Sequence, residues 1–159
     1  MRPDSIPGPV ANVKRALTGL GVEDTVTVFH SKVPTAAAAA ATLGCDVAAI
    51  TNSLIFDHEG APLLILASGA ARVDVHKVAE QLGGGRIRRA SPAFVLEHTG
   101  QEVGGVAPVG HPEKIRTLLD STLKNHEVLW AGAGDHNSMF SIGYEDLHRI
   151  TGAEEMPVR

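Results

Sequence analysis

Three glycines and a proline fall within eight residues at Gly104-Gly105-Val106-Ala107-Pro108-Val109-Gly110-His111. Glycine reaches backbone angles closed to other residues and lets a ligand approach the main chain. Pro108 fixes one φ angle and removes one N–H donor. Such a loop can hold backbone N–H groups in a fixed pattern that binds an anion or polarises a carbonyl oxygen. The same residues also suit a tight turn between strands. Gly105 and Gly110 have Walker A spacing, but His111 and Pro112 stand where the phosphate-binding Lys and the magnesium-binding hydroxyl belong, which excludes a P-loop. Gly83-Gly84-Gly85 follows a helical pattern and reads as a helix stop and turn.

Other residues offer chemistry. Asn52 and Ser53 stand at the start of a strand, where their side chains would hydrogen-bond either the strand end or a ligand. His136 lies in the polar turn Gly134-Asp135-His136-Asn137-Ser138, in which Asp135 would orient the imidazole or initiate the turn. Pro112 restricts His111 to extended geometry, beside a pocket or facing solvent. The eight histidines form no HxH or HExxH pattern, and no CxxC or zinc-deaminase signature occurs, so neither metal nor cofactor is expected. No GxSxG elbow or Cys/His pairing supplies a protein nucleophile.

The elements that must position these residues are legible in outline. Val10, Val13, Leu17 and Leu20 recur at helical spacing up to Gly21. Thr25–Phe29 is β-branched and aromatic, a strand. Pro34-Thr35 leads into six alanines and a helix stopped by Gly44. Ser53–Phe56 and Leu63–Ala67 read as strands joined by a hairpin at Asp57-His58-Glu59-Gly60. Asp74 caps a helix through Leu82. Ser91-Pro92 opens another that Gly100 closes. Strands follow around Ile115–Leu119, Val128–Ala131 and Met139–Ile142, then a helix over Tyr144–Ile150. Hairpins without steady β-α alternation predict an α+β domain with a mixed, largely antiparallel sheet.

With 159 residues, 43% of them apolar and 20% charged, the composition is that of one ordinary globular domain. Met1–Pro9 holds three prolines and no apolar core, so it reads as a flexible arm rather than a signal peptide. No apolar run is long enough to span a bilayer. Cys45 stands alone, which excludes an intramolecular disulfide and fits a cytoplasmic protein. A net charge of −4 argues against general nucleic-acid binding, although a local patch could still hold RNA. Arg86, Arg88 and Arg89 are the densest basic cluster, either a solvated edge or a phosphate contact. Six aromatic residues are too few for a base-stacking platform.

Thr99-Gly100 with the 104–110 loop, Asn52-Ser53-Leu54-Ile55-Phe56 upstream, and Trp130-Ala131-Gly132-Ala133-Gly134 and Asp146-Leu147 downstream together resemble the YbaK/EbsC-type proteins. These are bacterial aminoacyl-tRNA deacylases related to the editing domain of bacterial prolyl-tRNA synthetases. The resemblance runs from about Val10 to Gly152. It implies a single domain over 10–159, whose curved sheet forms a partial barrel with helices outside. The implied activity is trans-editing hydrolysis of the ester of mischarged aminoacyl-tRNA, with tRNA(Pro) as the expected substrate, in substrate-assisted chemistry. Implied catalytic residues are Asn52, Gly105, Gly110 and His136. Implied substrate-binding residues are Ser53, Gly104, Val106, Ala107, Pro108, His111, Gly134 and Asp135. The tRNA acceptor end is the expected partner, together with an aminoacyl-tRNA synthetase. One departure stands out: deacylases of this family commonly carry Lys where this chain has neutral Asn52. That departure favours, as an alternative, a binding module that keeps the pocket without turnover; a small-molecule esterase or amidase on the same fold is a third reading.

Overall fold

The computed structural model describes residues 8–30, 35–70 and 72–159. Its elements run α1 (Gly8–Gly19), β1 (Thr27–Val28), α2 (Ala36–Leu43), β2 (Ile50–His58), β3 (Ala61–Ser68), α3 (Val75–Gln81), β4 (Ile87–Arg89), α4 (Pro92–Thr99), β5 (Arg116–Asp120), β6 (Leu129–Gly132), β7 (Ser138–Ile142), α5 (Tyr144–Thr151) and β8 (Glu154–Met156). Short 3-10 turns precede β2 and follow β5. Among the described residues the strands form one mixed sheet of order β1-β7-β6-β2-β3-β5-β8, open at its ends, with β4 added beside β2. Its β1·β7, β2·β3, β2·β4 and β6·β7 ladders are antiparallel, and β2·β6, β3·β5 and β5·β8 are parallel.

Local chemistry sets the helix ends. Thr35 Oγ1 accepts the Ala38 N–H at 3.0 Å, and Gly44 closes α2 at φ 69°. Asp74 Oδ1 accepts from His76 and Lys77 at 3.1 Å. Ser91 caps α4, with Pro92 in its first turn. Helix α1 takes in Gly8 and Pro9, and the rest of the expected 1–9 arm lies outside the described residues. The helix ends at Gly19, leaving Leu20 exposed. Strand β1 is shorter than Thr25–Phe29 because Thr25 pairs through its side chain. Its Oγ1 donates to the Ser141 carbonyl at 2.7 Å and accepts the Ser141 N–H at 2.9 Å.

The central strand β3 is buried from Leu63 through Ser68, since helices cover both faces of the sheet. On one face Ile55, Leu64, Leu66, Leu119, Leu129, Ala131 and Phe140 pack under α1, α4 and α5. On the other, Phe56, Leu63, Ile65 and Leu118 pack against α3, while Ile50 and Met139 pack against the alanines of α2. Cys45 is half-buried at the end of α2, and burial together with Asp46 pushes its thiol pKa up. That environment suits packing rather than a nucleophile.

Candidate functional site

The β2–β3 hairpin turns on Glu59 and Gly60, at φ 54° and 91°. Both lie in the left-handed region, as a two-residue type I′ turn requires. This turn fixes the register, with His58 opposite Ala61 and Asn52 opposite Ala67. The other edge of β2 is shared. Strand β6 pairs only with Ile50 and Thr51, and β4 only with Phe56, Asp57 and His58. Asn52, Ser53 and Leu54 therefore have no strand partner on that edge, and Ile55 meets only the Ala90 N–H at 3.4 Å. Antiparallel alternation turns the Ser53 main chain away from β3 and into this notch.

A cavity of about 320 Å³ occupies the notch. That lies near the low end of the ~300–1,000 Å³ of small-molecule sites. Its walls come from both sides of the sheet. Ala36 and Ala39 of α2 stand on one side, and Val95 of α4 with Val106 on the other. Asn52, Ser53, Gly104, Asp135 and His136 complete the polar lining, and Arg89 stands among the lining residues. Thr51, Ser53 and Ser138 also line it, and each has a buried side-chain oxygen with no hydrogen-bond partner among the described residues. Buried hydroxyls are nearly always paired. Three unpaired ones are gathered in residues around this one cavity.

The glycine loop closes this cavity through backbone packing. A Cβ on Gly105 would lie 2.8 Å from the Asp135 backbone, and one on Gly104 would lie 3.0 Å from the His136 ring. Gly132 lies against the Val106 carbonyl, where a Cβ would come within 2.9 Å. The Gly105 N–H is engaged by the Glu102 carbonyl at 2.9 Å, and the Ala107 N–H by Gln101 Oε1 at 2.8 Å. The N–H groups of Gly104 and Val106 make no hydrogen bond among the described residues. Both residues line the cavity.

Asp135 Oδ1 accepts the Asn137 N–H at 3.0 Å, so this carboxylate initiates the turn. His136 instead faces Glu102, with Nε2 3.7 Å from Oε1.

Several residues expected at the site do not reach the cavity. Gly110, at φ 88°, is the seat of α1, where a Cβ would meet Val13 at 3.1 Å. Gly134 seats the start of the same helix, with Pro9 backbone atoms 2.9 Å from its would-be Cβ. Ala107 and Pro108 are buried in the loop. His111 borders a separate hollow with Arg15, Gly100 and Pro112. Its Nε2–H donates to the Ala107 carbonyl at 2.8 Å, and burial holds its pKa below the usual value, opposed by that bond. Gln101, which the sequence did not single out, is buried and clips the loop. It accepts from Ala107 and donates to the Val109 carbonyl at 3.4 Å, and Thr99 Oγ1 accepts its backbone N–H at 2.9 Å. Among the described residues no group of three or more His, Cys, Asp or Glu side chains could hold a metal.

Residues 30–150 match the model of the aminoacyl-tRNA editing domain family. The chain belongs to that family. It is 35% identical over 141 residues to the uncharacterized protein YwhH of Bacillus subtilis, covering 88% of this chain and 89% of that one. It is 29% identical to the proline–tRNA ligase of Nitratidesulfovibrio vulgaris Hildenborough, where the match takes 92% of this chain but only 28% of the ligase. A solved structure described as a candidate trans-editing enzyme for prolyl tRNA synthetase superposes with a TM-score of 0.92 at 33% identity, covering 98% of this chain and 99% of that one. The editing-domain fold thus extends over both the notch in the sheet and the loop that closes it. Among the described residues, no helix of this editing domain is long and apolar enough to cross a membrane.

Proposed function

We propose that this chain is a trans-editing aminoacyl-tRNA deacylase that clears mischarged tRNA(Pro) in the cytoplasm. The observation that carries the reading is the notch itself. An unpaired edge of β2, two backbone donors and a small polar cavity converge in an editing-domain chain. The aminoacyl group enters the cavity, and its ester carbonyl takes hydrogen bonds from the Gly104 and Val106 N–H groups. Donors placed where oxyanion charge develops stabilise the tetrahedral intermediate. Water adds to the carbonyl carbon, activated by the substrate's own ribose hydroxyl. The ester C–O bond then breaks, and the ribose oxygen leaves with a proton. The products are a free amino acid and a tRNA with an intact terminal diol. His136, beside Glu102, and Asn52 border the reacting group and orient it.

A proline–tRNA ligase is the natural source of such a substrate, which makes it the expected partner in function. The test is deacylation across a panel of tRNAs carrying cognate and non-cognate amino acids. Mischarged tRNA(Pro) should lose its amino acid far faster than the uncatalysed ester, and correctly charged prolyl-tRNA should persist. Tight tRNA binding without turnover would support the non-catalytic alternative that Asn52 raises. Turnover of simple esters but of no charged tRNA would support the small-molecule esterase.

A further inference from the structure

The three arginines near β4 have separate fates. Arg86 lies before the strand, its backbone N–H held by Glu59 Oε2 at 2.7 Å. Arg88 pairs with Asp57, Nη2 to Oδ2 at 3.6 Å. Arg89 lines the cavity, is exposed, and makes no ion pair among the described residues. It stands opposite Phe56 in the β2·β4 register, with its guanidinium carbon 6.0 Å from the ring centroid. Stacking on an aromatic face holds a guanidinium without neutralising it. No other Arg or Lys lines the cavity among the described residues, and Asn52, which also lines it, is neutral.

An aminoacyl ester on a terminal ribose has its nearest anion one sugar away, at the 5′ phosphodiester. A cavity of about 320 Å³ takes a small aminoacyl group and leaves that phosphate at the mouth. Planar, always charged Arg suits bidentate phosphate contact. On a chain of net charge −4 such a contact must be local.

We infer that Arg89 binds the phosphodiester immediately 5′ of the ester-bearing ribose. This rests on the deacylase reading, and the experiment keeps the two apart. Two esters of the same amino acid are compared: one on adenosine alone, one on a cytidylyl-adenosine dinucleotide that carries the phosphate. Arg89→Gln should lower the ratio of kcat/KM between dinucleotide and nucleoside substrates about tenfold, the scale of one lost charge-assisted contact. For whole tRNA it should flatten the slope of log affinity against log salt by about 0.7. Arg86→Gln should leave the ratio and the slope at wild-type values. Wild-type turnover with a ratio and slope unchanged in Arg89→Gln would overturn the assignment of Arg89 alone. Wild-type protein that hydrolyses neither ester nor any charged tRNA would overturn the deacylase reading and Arg89 with it.

Discussion

Gly105 lies so close to Asp135 that a β-carbon on it would stand 2.8 Å from the Asp135 Cα. The turn that carries His136 into the cavity is thus set by a backbone-to-backbone contact that a side chain would break. Gly105→Ala should push the 134–137 turn away from the loop. Overpacking of this kind costs about 1–3 kcal/mol. Chemical denaturation should register that loss, and single-turnover deacylation should slow more than binding weakens.

Gln101 is the second fastening of the loop. Gln101→Leu removes the acceptor for the Ala107 N–H and the donor to the Val109 carbonyl in one step. Leaving buried backbone groups unpaired should cost about 1–3 kcal/mol. Urea unfolding would show it as a lower midpoint with little change in slope. Wild-type stability in this variant would mean the loop holds its shape without the clip.

His111 should make stability depend on pH. Its folded pKa lies below the usual 6.5, burial being the larger cause. Unfolding therefore takes up a proton at moderately acid pH, and the stability His111 confers is present above 6.5 and lost as pH falls through the folded value. Wild-type protein should lose more stability than His111→Gln between neutral pH and pH values below 6.5. Parallel stability–pH curves for the two proteins would show that His111 does not titrate on unfolding.

Much of this fold is legible locally. Ser91-Pro92, Asp74, Gly44 and Gly100 mark helix ends because capping needs only neighbouring residues. The β2–β3 hairpin is equally local, resting on Glu59-Gly60. Strand β8 is not legible: Glu154-Glu155-Met156 has no strand-like pattern, and pairing with β5 alone makes it extended. Strand β4 is three residues, two of them arginine, and gains its identity from β2. The site divides the same way. The glycines of the 104–110 loop announce close approach, but not what approaches. Gly104 and Gly105 meet the His136 turn, whereas Gly110 meets α1, a distinction that only tertiary packing makes. Gln101 carries no sequence signal, since a lone Gln before a loop is ordinarily solvated. The notch depends on where two short strands stop pairing, which no local pattern encodes.

Asn52→Lys should add a second cation to the residues that line the cavity with Arg89. Binding of tRNA should tighten at low salt, and its salt slope should steepen by about 0.7 for one added contact to single-stranded phosphate. Affinity measured at several salt concentrations checks this. Identical affinity and slope in both proteins would place residue 52 outside the path of the acceptor end.

In the proposed reaction, the notch beside β2 receives the aminoacyl ester. Amide chemical-shift mapping with a non-hydrolysable, amide-linked aminoacyl-adenosine tests it most directly. The expected shifts concentrate at Thr51–Ile55, Gly104–Val106 and Asp135–Ser138. Shifts confined to the hollow around Arg15, Gly100 and His111, with Asn52, Ser53 and Gly104 unmoved, would contradict it.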